Sequence, residues 1–440
     1  MLNERPRKLM ESVPRPLRIF LAVFILYTAV TWISCLIHYR MGHSKPYSSP
    51  FIHQSWDPYT DFRTYNVRFL LYFHRAEFFK HYAEIQLPYF SYPAPAAVVY
   101  RFFYGLHRPT RDYLLLGGVW AVLLTLGLFA YLRRAGSKKG VAAGIALLML
   151  AGSFPLDFML ERGNLELVVW ILVYLGVFLY LKRYDKTAAV LLGAAASMKI
   201  YPIIFCGLLL QRRRYGALGV AILTAAVCDV LSLWYAGPTF MTAFHGFNQT
   251  VMNYQQSYSI PARVSDGGMD HSFFSATKAV GQQLGLHYQT WLHPYYAIGG
   301  VLALVLFFGR SLRLPLFNQV LFIMIMAISL PPNSFDYTFV YLYLPWAMLS
   351  MVAFQATRRG VAVPGLTPML LCFVPLFAPF SLFVRHDMRF GGHVQTVVLL
   401  VLLFLCLRCP VADELWMRLG QDRRTSRKDS LAPLPSVQTA

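Results

Sequence analysis

Residues 182–214 read KRYDKTAAVLLGAAASMKIYPIIFCGLLLQRRR, an apolar stretch with a basic cluster at each end. About 20 apolar residues cross a bilayer, and cytoplasmic loops carry an excess of Lys and Arg. A single full span would place the two basic clusters on opposite sides of the membrane. We therefore predict two short half-helices over 187–210 that turn near Lys199-Ile200-Tyr201-Pro202 and line a cavity within the protein.

The composition of the whole chain is typical of a membrane protein. Of its 440 residues, 57% are hydrophobic and only 14% are charged, whereas soluble chains carry roughly 25% charged residues. A formal charge of +20 would suggest nucleic-acid binding in a soluble protein. Here the basic residues cluster between apolar runs, as cytoplasmic loops require, so a nucleic-acid partner is not expected. The six cysteines lie in or beside apolar segments and are expected to be core residues.

The other apolar runs predict the remaining spans. Basic residues before the run Ile19–Ile37 indicate a retained signal anchor with its N-terminus inside. Further spans are expected near 113–132, 141–154, 165–181, 217–235, 296–309, 315–331, 338–354, 361–382 and 393–408. With the hairpin counted as two, the chain is predicted to be an all-α polytopic integral membrane protein of about 12 transmembrane helices. Both termini would be cytoplasmic.

Two long segments between the spans are polar and aromatic. Residues 38–112 and 236–294 are predicted to form outer loops that contain interfacial helices. The transmembrane domain would comprise residues 1–412, and residues 413–440 would form a polar cytoplasmic tail.

The first outer loop contains a pair of carboxylates, Asp57 and Asp61, between aromatic residues. A carboxylate beside aromatic walls near a bilayer surface can have a raised pKa and act as a general base. The alternative is a solvated loop in which an aspartate caps a helix. The spacing alone leaves both interpretations open.

Other polar residues interrupt the apolar runs. Arg162 and Lys199 would suit a phosphate if they converged on one cavity. Alternatively, Glu161 pairs with Arg162 or Lys199 and merely stabilises helix ends. In the later loops, His271, Asp336 and Tyr337 could bind a polar substrate, or Asp336 and Tyr337 could simply cap a helix. Three further acids lie in apolar surroundings without an assigned role: Asp157, Glu166 and Asp229.

Several short motifs occur in a characteristic order. They are Asp61-Phe62-Arg63-Thr64-Tyr65, Phe90-Ser91-Tyr92-Pro93-Ala94-Pro95, Asn164, Ala195-Ala196-Ser197-Met198-Lys199-Ile200-Tyr201-Pro202, Asp270-His271-Ser272-Phe273 and Ser334-Phe335-Asp336-Tyr337. This succession resembles glycosyltransferase family 87, also called the domain of unknown function 2029 family. The likeness extends over about residues 55–350. Two departures are Arg162-Gly163 in place of the family's Gly-Gln pair and Asp270-His271 in place of its Asn-Gln.

The resemblance implies a GT-C fold and a polyprenyl-phosphate-sugar-dependent hexosyltransferase. Its acceptor would be a glycolipid or polysaccharide at the outer face of the plasma (inner) membrane. Asp61 would be the catalytic base, and Arg162 and Lys199 would stabilise charge on the leaving lipid phosphate. The implied substrate-binding set is completed by Asp57, Tyr65, Asn164, His271, Asp336 and Tyr337. The scheme requires no metal and no cofactor.

A different class of function, a transporter or flippase of a lipid-linked sugar, would also suit 12 helices with a broken one near the midplane. Transporters usually have two related halves, and the sequence shows no internal repeat. The two long aromatic loops favour chemistry at one face. A scaffold role in an envelope complex would explain none of the buried charges.

Overall fold

The computed structural model describes residues 12–40, 62, 92–260, 270–287, 290–378 and 391–416. Within these ranges the protein is helical, and strand pairing is limited to an isolated antiparallel bridge between Asp270 and Phe335. The expectation of an all-α membrane protein is met by these residues.

Sixteen α-helices follow one another along the described residues. They are α1 (Arg15–Arg40), α2 (Ala94–Tyr104), α3 (Pro109–Arg134), α4 (Lys139–Ala151), α5 (Phe154–Arg162), α6 (Glu166–Leu181), α7 (Asp185–Met198), α8 (Gly207–Gln211), α9 (Tyr215–Ala236), α10 (Phe240–Tyr254), α11 (Phe273–Gln283), α12 (Leu292–Gly309), α13 (Leu316–Ser329), α14 (Tyr343–Arg359), α15 (Leu366–Phe377) and α16 (Gly391–Arg408). Short 3₁₀ segments over Tyr201–Cys206 and Asp336–Leu342 precede α8 and α14.

Four helical segments in the described part of the chain are long and apolar enough to cross a membrane: Pro109–Arg134, Tyr215–Ala236, Leu292–Arg313 and Asp336–Arg359. A fifth span results if α4 and α5, bent by 44° where they meet, are counted as one. Five shorter apolar helices among the described residues have 10–17 residues, fewer than the roughly 20 that a straight span needs. The count of 12 transmembrane helices therefore stays a prediction.

The helices differ sharply in burial. In the segment Asp336–Arg359, 89% of the most apolar window is buried inside the protein, against 11% in Leu292–Arg313. Every residue of α13 is buried as well. We infer that α13 and α14 form the centre of the bundle, whereas α12 presents most of its apolar side chains to lipid.

The predicted hairpin over 187–210 is confirmed. Lys199 ends α7 in an extended conformation, and Pro202 lies at the start of the next 3₁₀ segment, where its missing N–H is tolerated. Asp185 at the start of α7 pairs with Arg212 at 3.2 Å and with Arg214 at 3.0 Å. The basic ends of the stretch therefore meet, as two half-helices that turn back require.

The predicted tail begins with an ordered contact. The carboxylate of Asp413 accepts hydrogen bonds from the backbone N–H groups of Leu316 at 3.0 Å and Phe317 at 3.2 Å. An acidic side chain at this position satisfies free donors at the N-terminus of α13 and complements the helix dipole. Residues 413–416 thus pack against the bundle.

Candidate functional site

The site is built on the short connection between α5 and α6. Gly163 ends α5 with a left-handed φ of 63°, a conformation that glycine adopts without strain. The carbonyl oxygen of Asn164 accepts a hydrogen bond from the Tyr113 hydroxyl at 2.8 Å. The Asn164 side-chain oxygen accepts one from the Glu166 N–H at 2.9 Å. These bonds hold the loop at the entrance of α6.

The carboxylate of Glu166 is the centre of the polar cluster. Its side chain is fully buried, and Lys199 donates to it at 2.6 Å. The hydroxyl groups of Tyr201 and Tyr341 both donate to its other oxygen, and these two hydroxyls lie 2.9 Å apart. A buried carboxylate is tolerated only when a cation and hydrogen bonds compensate it, and Glu166 has both.

The ammonium group of Lys199 is enclosed by polar and aromatic partners. Its nitrogen donates to the Asn164 side-chain oxygen at 3.1 Å. It also lies 5.0 Å from the ring centre of Tyr92 and 5.3 Å from that of Tyr337, within the range of cation–π attraction. Lys199 is only 7% exposed. The turn of the hairpin thus places the ammonium group of Lys199 in a buried cage of polar and aromatic side chains.

Three of the residues predicted to bind substrate are brought together here: Asn164, Lys199 and Tyr337. Of the two pairings considered for Glu161, the one with Lys199 is wrong, because Glu166 holds the ammonium group. Arg162 is half-buried in the last turn of α5, two residues before Asn164.

Three predicted residues of the first outer loop lie outside the described residues: Asp57, Asp61 and Tyr65. Phe62, the residue after Asp61, is described and is 2% exposed. Its ring lies 5.2 Å from that of Tyr113, whose hydroxyl holds the Asn164 carbonyl. One residue of the Asp61 motif therefore packs on the aromatic support of the Lys199 site.

A second cluster contains His271 and Asp336. The ring Nδ1 of His271 faces a carboxylate oxygen of Asp336 at 3.6 Å, beyond hydrogen-bond distance. The other ring nitrogen lies 3.0 Å from the Ser334 hydroxyl and 3.1 Å from the Thr338 hydroxyl. Within the described part of the chain, neither the Nδ1 atom nor that carboxylate oxygen has a hydrogen-bond partner.

Asp270 joins the two loops that form this second cluster. It accepts backbone N–H bonds from Ser272 at 2.9 Å and Ser334 at 3.0 Å. Burial raises the pKa of the Asp270 carboxyl, and the hydrogen bonds from Ser272 and Ser334 oppose that rise. The motif around residue 270 and the motif around residue 334 are therefore held in register by one carboxylate.

The 3₁₀ segment Asp336–Leu342 connects the two clusters. Tyr337 and Tyr341 reach the Lys199 and Glu166 groups, while Asp336 and Thr338 reach His271. The motif around Lys199 and the motif around His271, which are far apart in the chain, thus meet along one short element.

Sequence reasoning assigned no role to several members of the site: Glu166, Tyr92, Tyr201 and Tyr341. A usable signal existed for Glu166, since an ionisable residue at the head of an apolar run is costly and commonly functional. Tyr201 directly follows the predicted break, whereas nothing in the local sequence distinguishes Tyr341.

Among the described residues, no group of three or more His, Cys, Asp or Glu side chains is arranged to hold a metal ion. The polar side chains at these two clusters include an ammonium group, carboxylates and an imidazole.

Comparison with known proteins gives one finding. Neither a curated protein nor a solved structure matches the chain. Residues 90–292, which contain Tyr92, Asn164, Glu166, Lys199 and His271, match the model of glycosyltransferase family 87, and this match supports a glycosyltransferase.

Proposed function

We propose that this protein is a membrane glycosyltransferase that moves mannose or a related hexose from a polyprenyl-phosphate donor to a glycolipid or polysaccharide acceptor. The reaction would take place at the outer face of the plasma membrane, with both protein termini in the cytoplasm. The observation that carries the proposal is the meeting of four separate motifs around one ammonium group. They contribute Tyr92, Asn164, Lys199 and Tyr337.

Lys199 would hold the lipid phosphate through a directed hydrogen bond. An ammonium group has three donors, and two of them serve Glu166 and Asn164. The third would serve the donor phosphate. Because Glu166 compensates the charge of Lys199, the larger share of the electrostatic stabilisation of the phosphate would come from Arg162. Glu166 itself is a positioning residue in this scheme.

Asp61 would act as the general base. It removes the proton of the acceptor hydroxyl, whose oxygen forms a bond to the anomeric carbon of the donor sugar as the bond from that carbon to the phosphate oxygen breaks. The lipid phosphate leaves with the electron pair. The packing of Phe62 against Tyr113 supports a base close to the Asn164 loop, and general-base assistance is worth roughly 10²–10⁴-fold.

The remaining predicted residues would complete the substrate site. Within the described structure, His271 and Asp336 each have a hydrogen-bonding atom without a partner and suit sugar hydroxyls, while Asp57 and Tyr65 would contribute from the first outer loop. No metal ion or cofactor is needed in this scheme, since fixed cations stabilise the leaving group.

The test is sugar transfer from radiolabelled polyprenyl-phosphate mannose in purified membranes. Asp61→Asn should abolish transfer at normal protein levels, whereas the matched control Asp229→Asn, in helix α9, should retain most of it. Retained transfer in Asp61→Asn would refute the assigned base. If wild-type membranes transfer no sugar from any lipid-linked donor but move such a donor between leaflets, the transporter interpretation replaces this one.

A further inference from the structure

A cavity of about 450 Å³ lies between α3, α4, α6 and α14. Its walls are mostly apolar and aromatic, with contributions from Trp120, Leu124, Tyr174, Phe178, Trp346 and Met348. Neither Lys199 nor Glu166 lines it. The proposed transfer reaction makes no use of this space.

The cavity is long enough to take a lipid tail. Trp120 and Arg134, both in its lining, are separated by 14 residues of α3, which corresponds to about 21 Å of helix. One leaflet contributes about 15 Å to the roughly 30 Å hydrocarbon core of a bilayer. A Cβ atom added to Gly127, another lining residue, would meet nothing within 4 Å, so open space exists beside the middle of this wall.

The charged residues that line the cavity indicate which kind of lipid it binds. Arg134 and Lys182 line it and are exposed, and its described lining contains no Asp or Glu. Each Lys or Arg near a membrane surface attracts anionic lipids. Two cations in the lining of an apolar cavity therefore complement a phosphate joined to an acyl chain.

We propose that this cavity binds one acyl chain of an anionic phospholipid, whose phosphate lies between Arg134 and Lys182. This lipid is distinct from the sugar donor. Glu166 and Lys182 lie at opposite ends of α6, about 24 Å apart along the helix, and the donor phosphate is assigned to the end that carries Glu166. The inference does not depend on the proposed transfer reaction.

Quenching of tryptophan fluorescence by brominated lipids tests the site, because Trp120, Trp346 and Trp416 line the cavity. The full chain carrying Trp234→Phe, which removes a tryptophan that is 71% exposed, is reconstituted in phosphatidylcholine. Small fractions of phosphatidylglycerol or phosphatidylcholine with dibrominated acyl chains are then added. Phosphatidylglycerol should quench saturably and reach half-quenching at a roughly tenfold lower fraction than phosphatidylcholine.

Three variants in the same background decide the assignment. Arg134→Gln with Lys182→Gln should remove the preference for phosphatidylglycerol, and Gly127→Phe should remove the saturable component by filling the cavity. Gly118→Phe is the matched control, because a Cβ atom there also meets nothing within 4 Å but the residue does not line the cavity. Size-exclusion chromatography verifies that each variant is folded.

Equal quenching by the two lipids in the parent protein would overturn the proposal. So would saturable quenching that survives in Gly127→Phe to the same extent as in Gly118→Phe. If Gly127→Phe removes the saturable quenching but the variant with both Arg134→Gln and Lys182→Gln keeps the preference for phosphatidylglycerol, the anionic headgroup is refuted.

Discussion

The two polar clusters that the segment Asp336–Leu342 connects differ in how completely their buried polar atoms are paired with charges and hydrogen bonds. In the first, the Glu166 carboxylate meets the Lys199 ammonium at 2.6 Å and two tyrosine hydroxyls. In the second, His271 and Asp336 face each other at 3.6 Å, and each keeps an unpartnered buried atom within the described structure.

This difference separates Glu166, whose carboxylate is fully compensated and supports the fold, from His271 and Asp336, which keep hydrogen-bonding atoms for a ligand. A buried ion pair with full hydrogen bonding costs little while intact and a great deal when one member is lost. A buried polar atom without a partner costs free energy in the folded protein. The second cluster is therefore the better candidate for direct contact with substrate hydroxyls, and Glu166 of the first cluster is the better candidate for positioning Lys199.

The largest effect on stability is expected when Lys199 of the first cluster is replaced. Lys199→Met leaves the Glu166 carboxylate buried without its cation, and we expect the free energy of unfolding to fall by about 3–5 kcal/mol. Thermal unfolding in detergent, followed by size-exclusion chromatography, measures the loss.

The matched control is the double variant Lys199→Met with Glu166→Gln, which removes both charges and keeps an acceptor for the tyrosine hydroxyls. It should recover most of the lost stability without recovering sugar transfer. Equal stability of the single and double variants would show that the ion pair does not support the fold.

A substitution in the second cluster should lower sugar transfer much more than it lowers stability. Asp336→Asn preserves side-chain size, so the unfolding temperature should change much less than in Lys199→Met. If Asp336 bonds a sugar hydroxyl, transfer should fall about 10–100-fold, the loss expected for a hydrogen bond to a charged group.

Asp229→Asn makes the same chemical change in α9, outside both clusters, and serves as the control for transfer. An Asp336→Asn protein with normal transfer, or one that unfolds as readily as Lys199→Met, would remove the distinction between the clusters.

A smaller effect is expected at the end of the hairpin opposite to its turn, where Asp185 meets Arg212 and Arg214. Asp185→Asn weakens the contacts with Arg212 and Arg214, which hold the two ends of the half-helices together. We expect a loss of about 1 kcal/mol, since one of the partners is largely exposed and such pairs are weak. Thermal unfolding measures it. If Asp185→Asn lowers the free energy of unfolding as much as Lys199→Met does, the hairpin depends on the ion pairs of Asp185 as much as on its buried turn.

The smallest effect concerns pH. Because burial raises the pKa of Asp270 above its ordinary value of 3.8, the folded protein holds this proton more tightly than the unfolded chain. The wild type should therefore lose stability relative to Asp270→Asn as the pH rises from about 3.8 through the raised pKa. Unfolding temperatures across this range measure the difference, and parallel profiles would contradict it.

Much of the candidate site was accessible from short motifs, because each places a polar residue at the end of an apolar run. Asn164, Lys199, His271, Asp336 and Tyr337 were selected in this way, and the structure assembles them into two neighbouring clusters. Their roles in transfer stay proposals. Asp61, the residue on which the reaction depends most, lies outside the described residues.

The sequence by itself determined that the chain is a helical membrane protein and that residues 187–210 turn back on themselves. Both follow from local properties: the length of apolar runs, the position of basic clusters and the restraint imposed by Pro202. Only the tertiary structure decided which acid compensates Lys199. Glu166 is separated by 33 residues from Lys199 and by 175 from Tyr341, and contacts over such separations depend on how helices pack, which no local pattern encodes.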